Sequence, residues 1–278
     1  MPESTVCLSF DVDAMSVWFG YEHTTPAMLQ RGEYGIRVGL PRILRLLDEH
    51  GIKATFFVPG HTLESYPATG ARVLEAGHEL AHHSWAHQDP STQDADEERA
   101  DLERGLAALQ REGVRPAGFR SPSADLSPHT LALLEEHGFA YDSSLMAEDI
   151  TPYRPRIGDE VDAQTPLRPG REAAFWELPM SFELDDWPHF QFVFGPYRQG
   201  LSSPSKVLEV WQGEFDWMHD REGGGVLTVA MHPQVIGRGH RMAMLERFIE
   251  HCAAKGARFA RLDDVAAGLG SCRDTPVS

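Results

Sequence analysis

One pattern constrains this chain more than any other: short apolar or β-branched runs alternate with stripes of helical period, about seven or eight times. The first run, Thr5-Val6-Cys7-Leu8-Ser9-Phe10, passes straight into Asp11-Val12-Asp13 and reads as a buried parallel strand. Further strands are expected at 52–58, 79–81, 118–120, within 173–180, at 225–231 and at 258–260. Between them, Leu40, Ile43, Leu44, Leu46 and Leu47 form a helical stripe that stops near Gly51. Other helices are expected over 95–111, from Ser127 as N-cap with Pro128 in its first turn to Gly138, around 207–219 and over 241–254. Strands joined by helices run parallel, so the sheet is a barrel or a doubly wound sheet. The barrel is favoured by where the polar residues fall. Asp11, Asp13, His61, His83, His87, Arg120, Asp142 and His232 all sit at or just after strand C-terminal ends, where a (β/α) barrel builds its active site.

The 278 residues contain no linker-like or low-complexity block, which implies one domain over 1–270 and a polar tail over 271–278. A formal charge of −17 excludes a phosphate-backbone partner and disfavours an anionic membrane surface. Cys7, Cys252 and Cys272 are scattered, as in a reducing compartment. The first residues lack the basic and apolar regions of a signal peptide, and no run approaches a membrane span. The expectation is a cytoplasmic protein. Its acidic surface and aromatic segments are compatible with a homo-oligomer. Residues 14–35, with Trp18, Phe19, Tyr21 and Tyr34, have no clean period and form either a lid or a packed surface excursion. Residues 147–205 are irregular apart from one strand.

The chemistry gathers around His83-Ser84-Trp85-Ala86-His87. If Ser84 to His87 winds into one helical turn, both imidazoles leave the same face and offer two nitrogen ligands to one metal ion. That spacing alone is a weak signal. Asp11 and Asp13, one residue apart, would point to one face of a continuing strand. One of them completes a His-His-carboxylate set that leaves positions open for water and substrate, and the other can act as general base. Spacing leaves open which is which. His78 and His82 are expected to be structural, and Ser84 a hydrogen-bonding turn residue.

Phe10-Asp11-Val12-Asp13, the Gly77 to His87 stretch, Arg120-Ser121-Pro122 and Met231-His232-Pro233 occur in the order found in polysaccharide deacetylases. The chain resembles this NodB-homology group, carbohydrate esterase family 4, over nearly its whole length. It is most similar to the branch with the Helicobacter-type peptidoglycan deacetylase, cyclic imidases and a metal-free allantoinase. Phe57-Val58-Pro59-Gly60-His61, the run from Asp142 to Met146, and Leu184-Asp185-Asp186-Trp187 point to that branch. The resemblance implies a distorted (β/α) barrel of seven or eight parallel strands. It implies that Asp13, His83 and His87 hold a divalent metal, most commonly Zn2+, and that Asp11 is the general base, kept ionised by a bidentate pair with Arg120. His232 would be the general acid, and the backbone N–H near Ser123 would help stabilise the oxyanion. His61, Ser123 and Trp187 are expected in the substrate pocket, with Asp185 and Asp186 lining it or orienting His232. Two departures stand out: Val12 separates aspartates that are adjacent in the family pattern, and Ala124 replaces its glycine.

The expected function is metal-dependent hydrolysis of a non-peptide carbon–nitrogen bond, with an N-acylated sugar as substrate or, as the alternative, a small amide or imide handled by an amidase, cyclic imidase or allantoinase-like enzyme. A non-catalytic, metal-stabilised binding protein would have to lack a base or an acid, and Asp11, Arg120 and His232 are all present.

Overall fold

The computed structural model describes residues 3–19, 24–192 and 200–270. Within these, the strands are β1 (Ser4–Asp11), β2 (Thr55–Val58), β3 (Glu79–His82), β4 (Gly118–Phe119), β5 (Tyr141–Asp142), β6 (Arg156–Ile157), β7 (Arg171–Glu172), β8 (Trp176–Glu177), β9 (Gly225–Met231) and β10 (Arg258–Phe259). Strands β6 and β7 form a separate antiparallel pair; the other eight form one sheet in which every pairing is parallel.

The sheet is built on β1. Its one edge pairs with β9 from Ser4 to Phe10. Its other edge is shared, with β2 against Ser9 to Asp11 and β10 against Thr5 and Val6. Strand β10 thus enters at the strand N-terminal end beside β1 and β2, and Leu262 N just beyond it donates to Thr55 Oγ1 at 2.9 Å. From β2 the order continues through β3, β4, β5 and β8. The curl closes beyond β8, where Asp185 makes a parallel bridge with Ala230 of β9. A single bridge and a wedged strand make this a distorted (β/α) barrel, as the sequence implies.

Strand β1 is buried on both faces because both have apolar partners. Val6, Leu8 and Phe10 pack with Ile43, Leu47 and Phe248 of the surrounding helices. Cys7 packs with Phe57, Ala81, Tyr141 and Leu178 from neighbouring strands. Ser9 and Asp11 continue the Cys7 face, which carries the strand's polar end into the site.

Three expectations need correction. The helix expected from Ser127 begins at Thr130, because buried Glu98 accepts from both the Ser127 and Thr130 hydroxyls and holds the preceding turn open. Of 173–180, only Trp176–Glu177 pairs with the main sheet. The described part of 14–35 is largely helical: Ser16–Trp18 form a 3-10 turn, and Thr25 caps a helix, Pro26–Tyr34, that runs through one π turn, Gly35–Gly39, into the helix Leu40–Glu49. Tyr21, the tail 271–278 and the aromatic positions 193–197 lie outside the described residues. Among the described residues no helix is long and apolar enough to cross a membrane.

Candidate metal centre and active site

The end of β1, the turn after β3 and the segment after β9 deliver the central groups. Asp13 Oδ1 lies 3.4 Å from His83 Nε2 and 3.9 Å from His87 Nε2, with Asp13 and His83 almost fully buried. The two histidines do not sit on a helical turn, as the spacing suggested. Residues 84–86 form a non-helical turn in which Ser84 and His87 take positive φ, 61° and 56°. Ser84 Oγ accepts from His87 N at 2.8 Å and braces it, and the two rings end 5.0 Å apart, edge to face. The backbone strain of two left-handed non-glycine residues is thus stored beside the candidate ligands.

Two of the three candidate ligands, His83 and Asp13, are aimed by a second side-chain contact. His83 Nδ1 donates to the Arg120 carbonyl at 2.7 Å, which leaves Nε2 facing Asp13 as the nitrogen that can ligate once unprotonated. Burial lowers the ring's pKa, but Asp11 and Asp13 outweigh it and raise it. Gln234 Nε2 donates to Asp13 Oδ2 at 3.1 Å, which leaves Oδ1 on the histidine side. Asp13 Oδ1 and His83 Nε2 are buried with no hydrogen-bond partner. Buried polar atoms left this way are costly unless something else meets them. Burial raises the Asp13 carboxyl, but His87, His83 and His232 outweigh it and hold it at about 2. Burial drives His87 down to about 4, so its ring is neutral and can ligate. Two imidazole nitrogens at 3.4 and 3.9 Å from a carboxylate oxygen are a donor set of the right type to hold a divalent ion.

Asp11 stands beside this set. Arg120 Nη1 donates to its Oδ1 at 3.0 Å. The expected bidentate pair is absent, because the other guanidinium donors are used elsewhere: Nε donates to the Ser143 carbonyl at 2.8 Å and Nη2 to Ser143 Oγ at 2.9 Å. Nη1 also reaches Ser9 Oγ at 2.8 Å, and the guanidinium lies 4.3 Å over the Phe57 ring. Arg120 is a fixed strut, and the second Asp11 oxygen is left free of it.

His232 faces both aspartates, with Nε2 3.9 Å from Asp11 Oδ2 and 3.9 Å from Asp13 Oδ2. Its Nδ1 donates to Asp186 Oδ1 at 2.7 Å, and Asp185 Oδ1 lies 3.6 Å away. Burial alone would lower the imidazolium pKa, but Asp185 and Asp186 outweigh it and raise it well above the usual value. Trp187 packs on His232 at 5.1 Å between centroids.

Asp11, His83, His87 and His232 open into a cavity of about 880 Å³ whose wall includes Ser123, Trp187, Trp85 and Phe182. His61 is not in that wall; it packs behind it, edge-on to Phe19 and Trp85. Ser123 and Ala124 have φ of 62° and 51°, so alanine occupies a left-handed position that glycine would take without strain. His82 is held between Leu102 O and Ser84 N, and His78 accepts from Ala54 N, both as structural histidines. Sequence reasoning missed Gln234, Ser9 and Ser143. Gln234 carried a signal in its place two residues after His232, and Ser143 in the run from Asp142 to Met146.

The polysaccharide deacetylase family model matches residues 1–141. A peptidoglycan deacetylase of Helicobacter pylori is 32% identical over 279 residues, covering 95% of each chain. A crystal structure from Mycobacterium smegmatis, provisionally named a polysaccharide deacetylase, is 35% identical with a TM-score of 0.84 over 100% of this chain and 93% of that one. An allantoinase structure at 23% identity, TM-score 0.80, covering 98% and 92%, shares the fold.

Proposed function

The chain belongs to the polysaccharide deacetylase family, hydrolases of non-peptide carbon–nitrogen bonds, and from that premise we propose a metal-dependent deacetylase that removes acetyl groups from an N-acetylated carbohydrate. The observation that supports the metal dependence is the pair of buried atoms Asp13 Oδ1 and His83 Nε2, 3.4 Å apart with no hydrogen bond to any other group, and His87 beside them. Two imidazoles and one carboxylate suit Zn2+ and leave a position open for water. When bound, such an ion supplies Lewis-acid polarisation and a water of lowered pKa.

The protein's own groups do the rest. Asp11, held by Arg120 through Oδ1, takes the proton of the attacking water on Oδ2. His232 carries a proton on Nε2, kept there by Asp185 and Asp186, and delivers it to the departing nitrogen. The backbone N–H near Ser123 assists at the developing oxyanion. Trp187 and Ser123 line the substrate's place, with the aromatic wall excluding water.

A compact amide or imide is the second reading, because the cavity has the volume of a small-molecule pocket. One experiment decides between them: acetylated sugars, cyclic imides and ureides assayed with metal analysis on the same preparation. Turnover of the sugars with about one Zn2+ per chain supports the first reading, and His87→Ala is then expected to lose both metal and at least a hundredfold in turnover. Turnover of the imides or ureides alone selects the second. Full activity after chelation removes the metal from the scheme.

A further inference from the structure

Outside the catalytic groups lies a second pair of acids that the reaction does not use directly. Asp142 ends β5 and Glu177 ends β8; they are register partners on adjacent strands, and both are fully buried. Glu177 Oε1 accepts from Ser144 N and Leu145 N, both at 2.9 Å. Asp142 Oδ1 accepts from Ser144 Oγ at 2.7 Å. The remaining oxygens, Asp142 Oδ2 and Glu177 Oε2, have no other donor. Two buried acceptor-only oxygens on facing carboxyls satisfy each other only when one carries a proton. Burial pushes both carboxyls up, and each acts on the other.

The loop clamped by this pair is the one that holds Arg120. Ser143 offers its carbonyl and Oγ to Arg120 Nε and Nη2, and Ser144 Oγ accepts from Ser121 N at 2.8 Å. The same Arg120 grips Asp11 through Nη1 and accepts from His83 Nδ1 through its carbonyl. We propose that Asp142 and Glu177 form an acid pair sharing one proton, and that its role is to position Arg120, and through it Asp11 and His83, for the reaction. Both are positioning residues, since neither lines the cavity.

The proposal rests on the reading of Asp11 as base, so the test carries Asp11→Asn alongside. Glu177→Leu removes the clamp. Glu177→Gln keeps its shape and supplies the N–H that the shared proton now provides. The readouts are zinc affinity by chelator competition, and kcat and KM on the compound from the panel above that the wild type hydrolyses fastest. Glu177→Leu is expected to lower kcat at least tenfold with KM within twofold, and to weaken zinc binding severalfold. Glu177→Gln is expected to recover at least half of wild-type kcat. Wild-type kcat and zinc affinity in Glu177→Leu, or equal losses in the Leu and Gln variants, overturn the proposal. If Glu177→Leu does not fold, Ser144→Ala, which cuts the link between Asp142 and Ser121, takes its place with the same kcat and KM criteria. An active Asp11→Asn variant instead overturns the assignment of the base and leaves the zinc-affinity comparison to judge the acid pair.

Discussion

Gln234 shows how much of the candidate metal centre rests on residues that touch no substrate. Its amide fixes one oxygen of Asp13, so the other faces His83 and His87 rather than rotating between partners. An orienting contact of this kind is worth about 10- to 100-fold in metal affinity. Gln234→Leu is therefore expected to weaken zinc binding by that factor while the fold melts cooperatively; chelator competition reads it, and unchanged affinity would deny Gln234 the role. The ligand types and the two aspartates were legible in the sequence because chemistry dictates them. The turn that joins His83 to His87 was not, since four-residue spacing suits a helix and the observed turn needs two left-handed residues that no local propensity favours.

At the scale of elements, the stretch expected to be a lid or an excursion braces the site from outside. Gly32, Gly35 and Gly39 lie three and four residues apart along the helical run over 26–49. A Cβ at Gly32 would come within 2.3 Å of the Ala14 carbonyl, next to Asp13, and one at Gly39 within 2.1 Å of the Pro233 carbonyl, next to His232 and Gln234. The segment meets both site loops backbone to backbone. Gly39→Ala is expected to cost about 2 kcal/mol in chemical denaturation, as overpacking against a fixed backbone does. Gly213→Ala, in the helix Pro204–Trp217 with open space at its Cβ, should instead be neutral or stabilising by up to about 1 kcal/mol. A similar result for both would mean that the docking is loose. Aromatics without period marked this stretch as unusual, but its glycines acquire meaning only when two distant loops are seen against them.

Across the whole molecule, the barrel has a chemical top and a structural floor. The floor is tied by Glu79 at the start of β3, which accepts from Thr55 Oγ1 at 2.6 Å, Tyr141 OH at 2.9 Å and Asp263 N at 3.1 Å. Burial, reinforced by Asp263, raises its carboxyl from 4.5 to about 7. Between those pH values the folded chain keeps a proton that the unfolded chain has lost, so stability is full below 4.5 and falls as pH rises through about 7. The swing is at most roughly 3 kcal/mol. Glu79→Gln should flatten that part of the stability–pH curve in denaturant titrations, and an unaltered slope would place the titration elsewhere. The sequence by itself determined that parallel strands alternate with helices, and it named the acids and histidines that the structure brings together, because strand burial, helical period and ligand chemistry are local properties. Only the tertiary structure decided which oxygen of Asp13 faces the histidines, that Arg120 holds Asp11 by one contact, and that Asp142 meets Glu177. The first two depend on side chains up to 221 positions apart meeting within about 3 Å and the third on strand register, matters of packing geometry that no window of sequence contains.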